Sequence, residues 1–326
     1  MRDSYDVDLT DWLEAYPSAE FLLTPVLQLI GSRFDTLWLF GAGALTLGWV
    51  LWANRFATTD TRWLPWRVYF SPSARIDYLC FALFPTLLAG ALSAGIHPWH
   101  ESAISERALA WLGISQVSGF DRPLAGAALV GTWLLFIVAG VAGDFSQWCA
   151  HVACHRVPWL WRWHRLHHSA QVLTPFTGAR EHPFIQWIDR AVYATAVGIV
   201  LAVAQWVWPT SLEQLYWLEG GVAVFTLYWL AFLTNHYHVP VTFGPLEGLV
   251  VSPAYHAIHH INSPRYLDCN YGHILTCWDR LLGTYIRASQ SGDARGEMLA
   301  FGVPSTVHMP HRSVWVAFAR HCIGKH

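Results

Sequence analysis

Five apolar runs, each close to the length that crosses a lipid bilayer, constrain the fold of this chain more than any other feature. They cover residues 34–53, 78–96, 124–143, 191–208 and 218–234. A transmembrane helix needs roughly 20 predominantly apolar residues to cross the hydrocarbon core. Of the 326 residues, 54% are hydrophobic and only 13% are charged, which is more apolar than a usual soluble domain. The sequence therefore predicts an all-α, polytopic transmembrane helical bundle with about four to six spans.

Basic residues in short loops predict the orientation of this bundle. The loop at residues 54–76 contains Arg55, Arg62, Arg67 and Arg75, whereas residues 1–33 are mainly acidic. Because Lys and Arg of short loops stay on the cytoplasmic side, we expect the N-terminus outside the cytoplasm and this loop inside it. Counting spans onward returns the chain to the cytoplasm after the third and the fifth apolar runs. We expect an integral membrane protein of the bacterial inner membrane.

Charge and cysteine content exclude other classes of protein. The formal net charge is −2, so nothing favours nucleic-acid binding, which calls for a basic face. The six cysteines lie scattered in or beside apolar or predicted cytoplasmic sequence, and this placement favours free thiols over disulfides.

The 18 histidines are concentrated in a few short segments that follow the third and fifth apolar runs. His151 and His155 lie four residues apart, and two later segments repeat one pattern, HxxHH. These segments supply His164, His167, His168, His256, His259 and His260. In a helix, residues spaced by three or four share a face, so each segment presents its imidazoles together. Histidines that only cap helices or face the interface would not repeat a spacing. These eight imidazoles exceed the four ligands of one tetrahedral zinc and suit two metal ions with open coordination positions.

The segments HVACH, HRLHH and HAIHH, in this order between apolar runs, resemble those of the fatty acid hydroxylase and sterol desaturase superfamily. Members of that superfamily are integral membrane, non-haem di-iron oxygenases. The surroundings of the last segment add to the resemblance, with Ser252-Pro253 before it and Asn270-Tyr271-Gly272, Trp278-Asp279-Arg280 and Gly283-Thr284-Tyr285 after it. The match covers about half of the chain.

The resemblance implies a division of the chain into four parts. Residues 1–33 form an extracytoplasmic or interfacial segment, and residues 34–123 form an N-terminal transmembrane region. Residues 124–286 form the di-iron catalytic domain, whose histidine-rich helices make a cap on the cytoplasmic side of the bundle. Residues 287–326 form a cytoplasmic tail that packs on this cap.

The same resemblance implies a ligand set. It assigns metal ligation to the eight clustered histidines and adds His236, at the end of the last apolar run, as a ninth ligand. Further residues are expected to ligate metal or to hydrogen-bond to a ligand, and these are His182, His238, Asp144, Asp268, Asn270 and Asp279. At His238 the family commonly has Asn, which leaves the role of this histidine open. Each carboxylate has helix capping or pairing with an arginine as an alternative role, and a structural role is an alternative for His273.

The activity that the resemblance implies is the hydroxylation or desaturation of a C–H bond in a lipid. The lipid would be a fatty acyl chain, a sterol, a carotenoid or a related molecule. The reaction would use two iron ions, O2 and external electrons, with zinc as a substitute for iron in purified protein. A separate donor, a ferredoxin or a cytochrome with its reductase, would supply the electrons. Ether cleavage is a further outcome that the sequence leaves open.

Two alternative functions are a zinc-dependent membrane hydrolase and a membrane metal-binding or transport protein. A hydrolase of the HExxH type needs a carboxylate between its paired ligands, and residues 151–155 contain none. A metal transporter would carry ionisable residues inside its spans, where this chain has few. A di-haem cytochrome would place single histidines within facing spans rather than beyond their ends. These observations favour the oxygenase.

The orientation is testable by labelling single cysteines in intact cells with a membrane-impermeant maleimide. A cysteine that replaces Asp11 should react from outside, because the N-terminus is expected there. A cysteine that replaces Ser289 should react only after the cells are permeabilised. Reaction at Ser289 in intact cells would contradict a cytoplasmic metal site.

Overall fold

The computed structural model describes residues 48, 66–93, 101–111, 113, 127–207, 235–288 and 301–303. Within these ranges the chain is mostly helical and forms no β-strand, only two isolated bridges. The helices are α1 (Trp66–Tyr69), α2 (Pro72–Ser93), α3 (Glu101–Trp111), α4 (Ala127–Arg156), α5 (Pro158–His168), α6 (Pro183–Val207), α7 (Pro253–His259) and α8 (Cys277–Leu282). The prediction of an all-α protein is confirmed for this part of the chain.

One helix in the described part of the chain is long and apolar enough to cross a membrane, and it covers Pro183–Trp206 of α6. It includes most of the fourth predicted run. The second and third runs overlap α2 and α4, while residues 218–234 and all of residues 34–53 except residue 48 lie outside the described residues. The number of spans stays a prediction.

Helices α4 and α6 pack against each other through one face and expose apolar side chains on another. Their contact buries Ala139, Val197 and Leu201. The exposed apolar residues are Leu134, Ile137, Val138, Val141 and Phe145 on α4, and Ile199, Val203 and Trp206 on α6. Their helical spacing gives each helix a continuous apolar stripe that faces outward. In water such stripes would be a liability, whereas hydrocarbon is a suitable solvent for them.

A sharp turn joins α4 to α5 and folds the chain back on itself. Pro158 is the first residue of α5, and Val157 before it is extended, with φ −100° and ψ 112°. A residue that precedes proline avoids the helical region, so α4 ends here, and proline is well suited to the first helical position. The turn brings α5 beside the last two turns of α4, where His151 and His155 lie.

A buried ion pair fixes the segment between α5 and α6. The Arg180 Nη1 lies 3.2 Å from Asp77 Oδ1, and both side chains are buried. Asp77 Oδ2 accepts hydrogen bonds from Thr174 (3.0 Å) and Thr177 (2.8 Å). Arg180 also donates to the backbone carbonyl of Leu166 at 3.1 Å, which lies within α5. The pair therefore ties α2 to the C-terminal end of α5.

A second buried carboxylate, Asp279 of α8, organises the C-terminal part. It accepts hydrogen bonds from Tyr255, Tyr271, Gly272, Thr284 and Trp148. A Cβ atom at Gly272 would lie 2.7 Å from the Leu275 carbonyl oxygen, so only glycine fits this close approach. Helix α8 ends at Gly283, whose φ of 75° is the left-handed conformation that favours glycine. The residues that resemble the superfamily after the last histidine segment thus build one packed unit around α7.

Removing the carboxylate of Asp77 should destabilise the fold. In Asp77→Ala the Arg180 guanidinium stays buried without its ion-pair partner, and breaking such a pair costs about 3–5 kcal/mol. We expect a clearly lower thermal unfolding midpoint in detergent. Glu106→Ala, at an exposed position of α3, is the control and should change the free energy of unfolding by about 0.5 kcal/mol or less. Equal midpoints for the two variants would contradict the role of the pair.

Candidate metal centre

Helices α4, α5 and α7 bring five histidines together. We call them the five-histidine group, and its members are His151, His155, His164, His168 and His259. One ring nitrogen from each lies within 4.8 Å of those of the others. The rings of His151 and His259 have centroids 4.6 Å apart, and those of His155 and His168 are 4.7 Å apart. Four of the five residues are buried and the fifth, His155, is nearly so.

A second cluster, the four-histidine group, consists of His167, His236, His256 and His260, all buried. Their Nε2 atoms converge. The distance between Nε2 atoms is 3.1 Å from His167 to His236, 2.9 Å from His236 to His256 and 3.2 Å from His256 to His260. Two nitrogens that each lie about 2.1 Å from one ion are about 3.0 Å apart when they meet at a right angle. The spacing of these nitrogens therefore fits ligands of one cation.

The two groups lie side by side because each HxxHH segment serves both. In α5 the first and last histidines of the segment join the five-histidine group and the middle one, His167, joins the other. In the segment at α7 the assignment is reversed, and only the middle one, His259, joins the five-histidine group. Adjacent residues of a helix differ by about 100° in direction, so neighbouring histidines point into different groups. The rings of His168 and His260, one from each group, stack at 4.5 Å.

Two histidines of the five-histidine group have a hydrogen-bond partner at Nδ1, and the Nδ1 of a third lies beside a carboxyl group. The His151 Nδ1 lies 2.8 Å from the Tyr271 carbonyl oxygen, and the His259 Nδ1 lies 2.7 Å from that of Cys269. The His164 Nδ1 lies 2.9 Å from Glu181 Oε2. In the described part of the chain, the Nε2 atoms of all three are buried without a hydrogen-bond partner. A ring that donates from Nδ1 to an oxygen presents the lone pair of Nε2, which is the arrangement of a metal-bound histidine.

Burial keeps these rings uncharged. It lowers the pKa of His236 and His259 to about 3 and that of His164 to about 4. For His167 and His256, burial and then the neighbouring histidines lower the pKa well below its usual value. A neutral imidazole offers a lone pair, which a protonated one does not. The residues present therefore fit two metal ions with nitrogen ligands.

All nine histidines that the sequence predicts as ligands lie in the two groups, whereas His182 and His238 lie in neither. His182 precedes α6, where its Nδ1 accepts a hydrogen bond from the Phe184 backbone at 3.1 Å. The His238 Nδ1 lies 3.2 Å from the Tyr69 hydroxyl. His273, for which the sequence left a structural role as one alternative, lies beside the site, with its ring centroid 5.1 Å from that of His151.

The predicted carboxylates and amide lie around the groups rather than within them. Asp268 Oδ1 is 3.9 Å from His155 Nδ1. Asp144 accepts hydrogen bonds from the backbones of Ile274 and Leu275 and from Trp278. The Asn270 side chain donates hydrogen bonds to the carbonyl oxygens of Tyr255 and Ile286 and accepts one from the backbone N–H of Ile286.

Together with Asp279, these side chains hold the segment 268–276. This segment carries the two carbonyl oxygens that meet His151 and His259. Asp144, Asn270 and Asp279 therefore act on the histidines through the backbone.

Glu181 is the contact that sequence reasoning missed. It lies in the Arg180-Glu181-His182-Pro183 element, where the sequence predicts a role at the metal site for His182 and none for Glu181. In the structure the carboxylate of Glu181, and not the imidazole of His182, meets a histidine of the site. Burial raises the pKa of Glu181 well above its usual value. The signal available in the sequence was an acidic residue directly beside the matched Arg180 and His182.

Comparisons with known proteins agree with this geometry. A family model described as fatty acid hydroxylase matches residues 136–284. The alkylglycerol monooxygenase of Xenopus tropicalis is 27% identical over 154 residues, which cover 47% of this chain and 30% of that protein. The ornithine lipid hydroxylase OlsE of Rhizobium tropici is 32% identical over 145 residues, covering 44% of this chain and 40% of that protein.

A third relative, the Delta(7)-sterol 5(6)-desaturase erg3B of Aspergillus fumigatus, is 26% identical over 172 residues, covering 52% of this chain and 45% of that protein. This chain thus spans less than half of the length of these three curated relatives. No solved structure matches it.

Removing one histidine from the four-histidine group should release one ion. In His236→Ala three ring nitrogens remain, and we expect the metal content to fall from about two ions per chain to about one. His182→Ala and His238→Ala are the matched controls and should keep both ions, because these rings lie outside the groups. Elemental analysis of protein purified anaerobically with iron measures the content. An unchanged content in His236→Ala, or a loss in either control, would contradict the assignment of ligands.

Proposed function

This chain belongs, through residues 136–284, to the fatty acid hydroxylase family, and on this premise we propose that it is a membrane-bound oxygenase that hydroxylates or desaturates a C–H bond of a lipid. The names of its relatives, monooxygenase, hydroxylase and desaturase, all describe oxidation, and their named substrates are lipids. Because the chain covers only part of each relative, the activity of the whole protein is part of this proposal.

The observation that carries the proposal is the pair of adjacent, all-histidine groups. One transition-metal ion would bind the five-histidine group and another the four-histidine group. Imidazole ligands suit iron, copper, nickel and zinc, so the choice of iron rests on the family rather than on the ligands. When bound, iron supplies the activation of O2 that oxidation of a C–H bond requires. Zinc would compete for the same nitrogens in purified protein.

The protein itself contributes the orientation of the ligands. The carbonyl oxygens of Tyr271 and Cys269 accept the Nδ1 protons of His151 and His259, and these contacts fix which nitrogen faces the metal. Glu181 Oε2 lies 2.9 Å from the Nδ1 of His164, so this carboxyl group packs against the third ring. Burial of the groups excludes bulk water, which protects the reaction from side reactions.

We place the chain in the bacterial inner membrane as a bundle of about four to six spans, with the metal centre on the cytoplasmic side. The outward apolar stripes of α4 and α6 support a lipid environment. The substrate would then enter from the bilayer, where lipids partition. Electrons would come from a separate donor in the cytoplasm, a ferredoxin or a cytochrome with its reductase.

Deletion of the gene should make a lipid precursor accumulate in the host. The missing product should be one oxygen atom heavier than the precursor if the reaction is a hydroxylation, and two hydrogen atoms lighter if it is a desaturation. Comparative lipidomics measures both, with growth under labelled O2 to trace the oxygen atom. Complementation with the wild-type gene should restore the product, and complementation with His167→Ala should not.

Two results would contradict the oxygenase. One is full restoration of the product by His167→Ala. The other is a product that is a hydrolysed fragment formed without O2, which would favour a zinc-dependent hydrolase.

A further inference from the structure

Trp161, in the first turn of α5, packs against the five-histidine group from the outside. Its ring centroid is 5.0 Å from that of His155 and 5.3 Å from that of His168. The Trp161 side chain is partly exposed, and the His155 side chain is 7% exposed. The other eight histidines of the two groups are buried. The metal centre therefore reaches the protein surface at His155, beside Trp161.

The two histidines in contact with Trp161 do not line the cavity of the site. This cavity, of about 210 Å³, adjoins both histidine groups. The ligand histidines in its wall are His151, His164, His167, His236 and His256. His155 and His168 do not belong to the wall. A molecule in the cavity and a molecule that touches Trp161 would thus contact different ligands, so both can be present at once.

The surface around Trp161 is basic. Arg156, directly after His155, and Arg162 are exposed, and Arg165 is partly exposed. Helix α5 contains no acidic residue. Such a surface attracts an acidic partner and speeds its association.

Aromatic and arginine side chains alternate on this surface, and both types are enriched where proteins bind one another. The Trp159 side chain is 55% exposed and its ring lies 5.5 Å from that of Phe184. One exposed carboxylate, that of Asp268, lies at the edge, 3.9 Å from His155 Nδ1. We define the arginine–tryptophan surface as Arg156, Trp159, Trp161, Arg162 and Arg165.

The position of this surface favours a soluble partner over lipid head groups. His155 comes ten residues after Phe145, the last exposed apolar residue of the α4 stripe, which is about 15 Å along the helix. On α6, Phe184 comes six residues before the exposed Arg190, which is about 9 Å. The head-group layer on one side of a bilayer is only about 5–8 Å thick. Trp159, which contacts Phe184, therefore lies beyond this layer.

We propose that the arginine–tryptophan surface docks the electron donor, a soluble one-electron carrier with an acidic face, and that electrons reach the five-histidine group through Trp161. The proposal deepens the proposed function and rests on it, because that function requires external electrons. Each docked carrier is oxidised by one electron, and the ion that the five-histidine group would hold is reduced by one. Two such transfers and two protons from solvent balance a hydroxylation, in which one oxygen atom of O2 enters the C–H bond and the other leaves as water.

Trp161 in this proposal shortens the gap between the carrier and the ligands His155 and His168. Electron transfer slows steeply as the gap between the two redox groups widens. A ring that contacts both ligands on one side and the docked carrier on the other side narrows that gap, and Trp161 is not itself oxidised.

Docking is tested with a plant-type [2Fe–2S] ferredoxin, an acidic one-electron carrier. The metal-loaded full chain is placed in nanodiscs of phosphatidylcholine, which has no net charge. Oxidised ferredoxin should bind at low ionic strength, and its affinity should fall as salt is added, because salt screens exposed charges. Arg162→Glu should weaken this binding about tenfold, since a reversed charge at an interface repels the acidic partner.

Arg280→Glu is the matched control. Arg280 is exposed on α8, and the neighbouring Trp278 contacts Phe145 with ring centroids 4.9 Å apart, so Arg280 lies at the level of the α4 stripe. This variant should bind ferredoxin as the wild type does, and both variants should keep both metal ions. Equal affinities of Arg162→Glu and Arg280→Glu, or no binding of ferredoxin to the wild type at low salt, would overturn the docking surface.

The role of Trp161 is tested by the rate of metal reduction at saturating reduced ferredoxin, followed without O2 through the absorbance of the ferredoxin cluster. Trp161→Leu should lose most of this rate, whereas Trp161→Phe keeps a ring and should retain it. Dithionite, a small reductant that needs no docking, should reduce all three proteins equally. Equal rates with ferredoxin for Trp161→Leu and Trp161→Phe would overturn the route. If Trp161→Leu loses metal, the salt dependence and the Arg162→Glu affinity still decide the docking surface.

A nitroxide attached to Trp159→Cys distinguishes water from the bilayer. A water-soluble nickel complex should relax this label more strongly than O2, which concentrates in lipid. The opposite order would place the surface in the membrane and overturn the proposal. If dithionite-reduced protein that holds both ions oxidises no lipid in the presence of O2, the proposed function fails, and the ferredoxin measurements still decide the docking surface.

Discussion

The structure depends on keeping nine imidazoles uncharged and close together inside the protein. In the four-histidine group, neighbouring Nε2 atoms lie about 3 Å apart. They cannot all form hydrogen bonds with one another, because each N–N contact accommodates a single proton. Burial lowers the pKa values of these rings, so protonation does not separate them. A cation at each group would resolve the arrangement, because it accepts several lone pairs at once. Folding and metal binding would then be linked, since the ligands come together only in the folded chain.

Much of the surrounding structure positions the histidines by fixing the backbone segments that carry them or contact them. The Asp77–Arg180 pair fixes the end of α5, from which His164, His167 and His168 project. The carboxylates of Asp144 and Asp279 fix the segment 268–276. The Asp77–Arg180 pair and the contacts of Asp144 join parts of the chain that are more than a hundred residues apart, whereas Asp279 bonds residues that lie seven and eight positions before it. A change at any of these polar anchors therefore reaches the metal centre without touching a ligand.

The structure brings together the nine histidines that the sequence predicts as ligands, and for eight of them the spacing carries the geometry. A separation of three or four residues places rings on one helical face, whatever the tertiary structure. The sequence could not show that each HxxHH segment divides between two groups, because that depends on how α5 and α7 face each other. The sequence also could not show that Glu181, rather than His182, contacts a histidine of the site. Which of two adjacent side chains points toward the site depends on tertiary packing. Residues 218–234 and all of residues 34–53 except residue 48 lie outside the described part of the chain, so the span count rests on composition alone.

The two groups differ in a way that bears on where the chemistry takes place. A six-coordinate ion with five histidine ligands keeps one open position, whereas the same ion with four keeps two. The cavity contacts three members of the four-histidine group and two of the other. The group that would leave more positions open thus also contributes more residues to the cavity wall. In the proposed reaction O2 and the reacting part of the lipid would both need open positions or adjacent space, so the four-histidine group would be the better placed of the two to meet the substrate. The five-histidine group, held through Tyr271, Cys269 and Glu181, is the more rigidly supported partner.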